Sequence, residues 1–153
     1  MKKLLLLCCT IPVLWVSCKK DEERVSMRTE IITKGKWQLA ALSASTKAGG
    51  ETTITDVYLT MPECAKDDLM SFNLDGSVLL EMGELKCDPD AGDTYTGITW
   101  DFKDADTQLE LTDTAGVHLY DIISLSDTGM VLQVVETVEN VRTTTTTRYR
   151  HIK

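Results

Sequence analysis

Residues 95–103 read YTGITWDFK. On an extended chain Thr96, Ile98, Trp100 and Phe102 share one side, while Tyr95, Gly97, Thr99, Asp101 and Lys103 share the other. A period of two with one apolar side is the pattern of a half-buried strand. Ser77–Met82 repeats it through Val78, Leu80 and Met82, and Thr107–Thr112 repeats it through Leu109 and Leu111. Val117–Leu125 and Met130–Val138 are stronger still, and apolar on both sides in places.

The breaks between these runs are short and have hairpin chemistry. Asp75-Gly76 joins Leu69–Leu74 to Ser77–Met82, and an Asp-Gly pair between alternating runs is a strong hairpin signal. Asp104-Ala105-Asp106, Asp113–Gly116 and Ser126–Gly129 serve the next three joins, and Asn140 precedes Val141–His151. Strands that follow one another so closely are antiparallel neighbours. Trp37–Leu42 and a weaker segment at Thr52–Leu59 bring the number to eight or nine. A meander of that size closes into a barrel or leaves two exposed edges, and closure removes the edges. The predicted fold class is therefore all-β, a small antiparallel up-and-down β-barrel of eight to nine strands.

Other segments fill in around it. Val25–Lys34 carries Val25, Met27, Ile31 and Ile32, enough for one short N-terminal helix leading into the first strand. Met61–Asp68 has room for a turn of helix, limited by Pro62. Ala44–Thr53 is small, polar and Gly-rich and reads as a mobile loop. Thr143–Thr147 is five threonines in a row, and threonine favours strands, so a polar last strand that closes the barrel or lies at its edge is expected.

Upstream, Met1-Lys2-Lys3 is followed by an apolar run from Leu4 to Val16, the grammar of a secretory signal. The run is too short to span a bilayer, which takes about 20 residues. Residues 14–23 read LWVSCKKDEE. Trp15 occupies a position where a common signal peptidase prefers a small residue. The stretch instead resembles a bacterial lipobox, with Ser17 directly before Cys18. That resemblance implies that Cys18 is acylated and becomes the first mature residue, so that the membrane is a partner through its lipid. Stable anchoring takes more than one acyl chain, each methylene contributing about 0.8 kcal/mol. The charged run Lys19-Lys20-Asp21-Glu22-Glu23 is similar to the surface-export tag of some Gram-negative lipoproteins. The chain divides into a signal at 1–17, a lipidated tether with its helical lead at 18–33, and a barrel domain at 34–153. The expected location is the outer membrane, lipid-anchored, with the tag pointing to its outer face.

Removing residues 1–17 leaves 136 residues, enough for one domain, and takes away two lysines and no acid. The net charge thereby moves from −8 to −10, which argues against nucleic acid as a partner. Of five cysteines, Cys8 and Cys9 leave with the signal and Cys18 carries lipid, so Cys64 and Cys87 remain. In an oxidising compartment two cysteines are most simply one disulfide, with a metal pair as the rival. Closing a loop of about 24 residues stabilises a fold by roughly 3 kcal/mol in the chain-entropy account.

Two further motifs carry a resemblance. Gly35-Lys36-Trp37 is the G-x-W that opens the first strand of lipocalins. The ordered run Cys64-Ala65-Lys66-Asp67-Asp68, Phe72-Asn73-Leu74-Asp75-Gly76, Lys86-Cys87-Asp88-Pro89, then Tyr95-Thr96-Gly97 and Trp100 resembles the lipocalin-like domain of Gram-negative bacterial lipoproteins. It covers about residues 34–138, although Gly97-Ile98-Thr99-Trp100 holds one residue more than that family's G-x-W. The resemblance implies a lipocalin-like barrel. There Trp37 would plug the closed end, with a last-strand arginine, Arg148 or Arg150, as a cation over its face.

Chemistry is thinly represented. Lys86–Asp93 places three acids in a loop with a glycine, and calcium wants six to eight oxygens, but EF-hand spacing is absent. Asp67-Asp68 would add oxygens across a disulfide. A disulfide-tied acidic turn is the simpler reading, and no metal site or cofactor is expected. His118 alternates with Tyr120 and Ile122, opposite the more apolar side of its strand, and His151 is close to the end. There is no nucleophile elbow, phosphate loop or zinc signature, so no enzymatic activity is expected. Eight strands enclose either a filled core or room for one small ligand. Leu39, Met70, Phe72, Val78, Leu80, Ile98, Trp100, Leu109 and Leu111 are the candidate inward residues, and they suit a small hydrophobic molecule. The expectation is a monomeric, non-catalytic binder of such a ligand. The alternative is an accessory surface protein with a filled barrel that binds a protein partner through its loops.

Overall fold

The computed structural model describes residues 26–153. The expected secretory signal, the acylation at Cys18 and the charged tether before Ser26 lie outside the described residues. A seven-residue helix comes first, α1 (Met27–Thr33), capped where the Ser26 side chain accepts the Thr29 amide proton at 3.1 Å. So short a helix has little stability alone. It is held instead by Ile32, fully buried against the barrel, and by the Arg28 guanidinium donating to the Asp106 carbonyl at 2.8 Å.

Nine strands follow: β1 (Lys36–Ala48), β2 (Glu51–Asp56), β3 (Leu69–Phe72), β4 (Ser77–Glu81), β5 (Thr94–Lys103), β6 (Gln108–Asp113), β7 (Gly116–Leu125), β8 (Gly129–Val138) and β9 (Val141–Ile152). Each of β3 to β8 pairs antiparallel with the next, and β9 pairs with β1 from Lys36↔Ile152 to Lys47↔Arg142. That pairing, together with β1–β3 over Lys36–Gln38, closes an eight-stranded up-and-down barrel. The five threonines lie inside the closing strand, as their strand propensity suggests.

β2 is extra to the barrel. It pairs with the upper half of β1, from Ser43↔Asp56 to Ala48↔Glu51, on the edge whose lower half holds β3. Ala44–Thr53 is therefore not a loop. It is mostly strand, turned at Gly49 and Gly50, whose φ of 59° and 90° is the left-handed backbone a glycine adopts without cost. The Met61–Asp68 segment holds the one expected turn of helix, a 3-10 turn at Glu63–Ala65 directly after Pro62, and a second 3-10 turn precedes it at Tyr58–Thr60.

Three one-residue irregularities reset the alternation of sides: between Leu39 and Ala41 in β1, between Val78 and Leu80 opposite Gly97 in β5, and between Ile122 and Ser124 in β7. Gly97 has φ 115°, and the pairing moves from Val78↔Ile98 to Leu80↔Tyr95. The extra residue in that strand is thus a bulge. It brings Tyr95 to the side of Leu80, whereas strict alternation places Tyr95 on the opposite side from Ile98.

The lower half of the barrel is solid. Trp37, Phe72, Val78, Leu109, Met130 and Leu132 are buried there with Ile32 and Ile122. Phe72, Trp100 and Phe102 meet edge to face at centroid separations of 5.5 and 5.3 Å. Trp100 and Phe102 are partly buried, whereas each fully buried side chain of this core, such as Trp37, Phe72 or Leu109, contributes about 1.5–3 kcal/mol.

Candidate functional site

The G-x-W segment sets the floor of the barrel. Trp37 is fully buried, and its Nε1 donates to the Ile32 carbonyl at 2.8 Å, satisfying a helix-end acceptor that has no partner within α1. The ring above it is His151, directly across the β1–β9 ladder, with centroids 5.2 Å apart in an edge-to-face arrangement. Neither arginine takes that place. Arg148 pairs across from Ala41 and is exposed, and Arg150 binds Gln38 Oε1 on the outer side at 2.6 and 2.9 Å. Strand alternation is the reason: with His151 opposite Trp37, residues 147, 149 and 151 turn inward, and 148 and 150 turn out. Gly35 completes the unit, because a Cβ there would overlap the His151 ring.

Above the floor lies a lumen cavity of about 160 Å³, lined by Trp37, Leu39, Met70, Leu80 and Tyr149, with Ala65, Asp68 and Leu69 at its rim. Leu39, Met70 and Leu80 therefore share one space. Phe72, Val78 and Leu109 belong to the solid core, and Ile98, Trp100 and Leu111 pack against it. Trp100 also spends its Nε1–H on the Asn73 carbonyl at 2.9 Å. Tyr149 and Tyr120 were not among the residues expected in the lumen. The signal for Tyr149 was present, since two outward arginines at 148 and 150 make its own side the inner one.

The rim is built by the disulfide Cys64–Cys87, whose Cα atoms are 5.2 Å apart. It ties the Glu63–Ala65 turn to the loop after β4. Asp67 Oδ2 accepts the Leu85 amide at 2.9 Å and Asp68 Oδ1 accepts the Gly83 amide at 3.0 Å. The two acids of the C-x-K-D-D motif thus hold this loop. In the acidic loop itself, Lys86 pairs with Asp93 at 2.5 Å, and its hydrogen bond, then its charge, lowers the Asp93 pKa. Among the described residues, no three His, Cys, Asp or Glu side chains gather closely enough to hold a metal.

The lumen phenols are perturbed. Burial, then the neighbouring Tyr120, pushes Tyr149 up to about 12. Burial, then the Asp113 charge, raises Tyr120. His118 lies on the inward side with Tyr120 and Ile122 and approaches Asp113 at 3.5 Å. The more apolar side of β7 faces out, with Val117, Leu119 and Ile123 at 64, 44 and 58% exposure. β7 pairs with β8 only over Asp121–Leu125, so the wall separates above that level. A larger trough of about 680 Å³ lies outside the barrel, lined by Met27, Ile31 and Leu74 among others.

No protein-family model matches the sequence, and no curated protein matches it significantly. Among solved structures the chain is similar to a lipocalin-like protein from Bacteroides uniformis, at 15% identity and a TM-score of 0.37, covering 77% of this chain and 96% of that one. It is also similar to bovine odorant binding protein in complex with a selenium-containing odorant, at 16% identity and a TM-score of 0.41, covering 88% of this chain and 78% of that one. The same bovine protein in complex with undecanal matches at 16% identity and a TM-score of 0.40, covering 80% and 74%.

Proposed function

We propose that this chain is a lipoprotein of the cell envelope, anchored to the outer membrane through acylated Cys18, whose barrel binds one small apolar molecule without transforming it. The lipobox-like LWVSC and the acids that follow support the anchor and its outer-face display. The observation that carries the binding function is the lumen cavity between Leu39, Met70 and Leu80. At about 160 Å³ it is too small for a drug-sized ligand, which takes roughly 300 Å³ or more. It suits a compact molecule, since an apolar cavity of about 150 Å³ in another protein admits benzene. Native mass spectrometry of the mature chain, purified from its own host, tests this. A stoichiometric small molecule, lost in Leu80→Trp where the indole fills the cavity, supports the carrier function.

A second reading rests on a different observation. Val117, Leu119 and Val135 are exposed, and β7 and β8 separate beside them. Unpaired strand edges with apolar side chains are places where another chain can add a strand. A barrel that arrives empty and takes up no hydrophobic dye would hand the function to this outer strip and to a protein partner.

A further inference from the structure

Tyr149 faces the lumen cavity from β9, across from Leu39 on one side and Met130 on the other. Its hydroxyl makes no hydrogen bond to any described residue, although the side chain lines the cavity. Tyr149 is only partly buried and its hydroxyl is not sealed from water, but a molecule that fills the cavity displaces that water. Unless that molecule offers an acceptor in its place, the hydroxyl loses its hydration for nothing in return. The other walls supply none. Leu39, Met70 and Leu80 are apolar, the Trp37 indole N–H is committed to Ile32, and Asp68 is turned to the Gly83 amide.

We infer that Tyr149 donates a hydrogen bond to the molecule held in the cavity, so that the preferred ligand is a compact apolar compound bearing one acceptor oxygen, such as a small ketone, aldehyde or ether. This rests on the cavity being the ligand site. The phenol is neutral at any physiological pH, so it is always available as a donor. Residue 149 thereby sets which small molecules are distinguished, while the leucines and Met70 set only their size.

Two probes of nearly equal shape separate the possibilities: cyclohexanone, with one carbonyl, and methylenecyclohexane, with a methylene in its place. Affinities are measured by calorimetry on the full chain in detergent, with Leu80→Trp as the reference for partitioning into micelles. The expected result is that the ketone binds about three- to tenfold tighter, the range one net hydrogen bond gives. Tyr149→Phe brings that ratio to about one. If both probes bind the wild type equally, the cavity stands as a ligand site and the function assigned to Tyr149 falls. If neither binds above the Leu80→Trp reference, the cavity reading falls and takes this inference with it.

Discussion

His151 meets Trp37 edge to face at 5.2 Å, and Gly35 leaves the space in which the imidazole lies. The G-x-W segment is thus one half of a three-residue lock whose other half arrives more than a hundred residues later. Gly35→Ala should cost about 1–3 kcal/mol, the range for overpacking a core. Urea denaturation checks it. His151→Ala in the same chain should recover part of the loss, and a double-mutant cycle with no coupling would show that the ring is not the obstacle.

The disulfide fixes the rim of the cavity as well as the fold. Cys64 and Cys87 are 23 residues apart, so replacing both with serine should lower stability by roughly 3 kcal/mol. Because Ala65, Asp68 and Leu69 follow Cys64 directly and line the cavity, ligand affinity should fall too. Comparing urea midpoints and probe binding in oxidised and reduced protein gives both numbers.

Tyr149 should make the barrel sensitive to alkali. Its pKa in the fold, about 12, exceeds the ordinary value of 10.0, so the folded state holds the phenolic proton more tightly than the unfolded chain does. That contribution is whole below pH 10 and is lost as pH rises from 10 toward 12. It amounts to roughly 3 kcal/mol at most. The difference in stability between wild type and Tyr149→Phe, followed from pH 8 to pH 12, should shrink across that window.

Cys18→Ser should abolish labelling by radioactive palmitate and move the protein from the membrane fraction to the soluble fraction. Replacing Asp21-Glu22-Glu23 with alanines should retain the label and reduce protease accessibility on whole cells. A protein that stays with the membrane after Cys18→Ser would show that something other than its lipid holds it.

Much of the barrel could be read from local pattern, because alternation and Asp-Gly turns are local. YTGITWDFK forms a strand, and Asp75-Gly76 turns a hairpin with Gly76 at φ 83°. Ala44–Thr53 could not be read that way. Its small residues gain their strand geometry from β9, some hundred residues away, where Thr46 faces Thr143. Bulges were the other hidden element. One additional residue near Ala40, Gly97 or Ile123 flips every side chain beyond it, and no composition rule announces it. In β7, where both sides are apolar, Val117 and Leu119 looked as suitable for the interior as Tyr120. Which side turned inward depended on β6, where Leu109 pairs with Tyr120.

The separation of β7 from β8 above Asp121 and Gln133 divides the molecule by lifetime as well as by shape. Backbone amides in the lower ladders are sealed over Phe72, Leu109 and Met130, and their hydrogens should exchange only through global unfolding. Amides of Val117 to Tyr120, with one flank free, should exchange by small local openings many times faster. The free flank of β7 would then keep a fast clock, while the base of the barrel keeps its own much slower time.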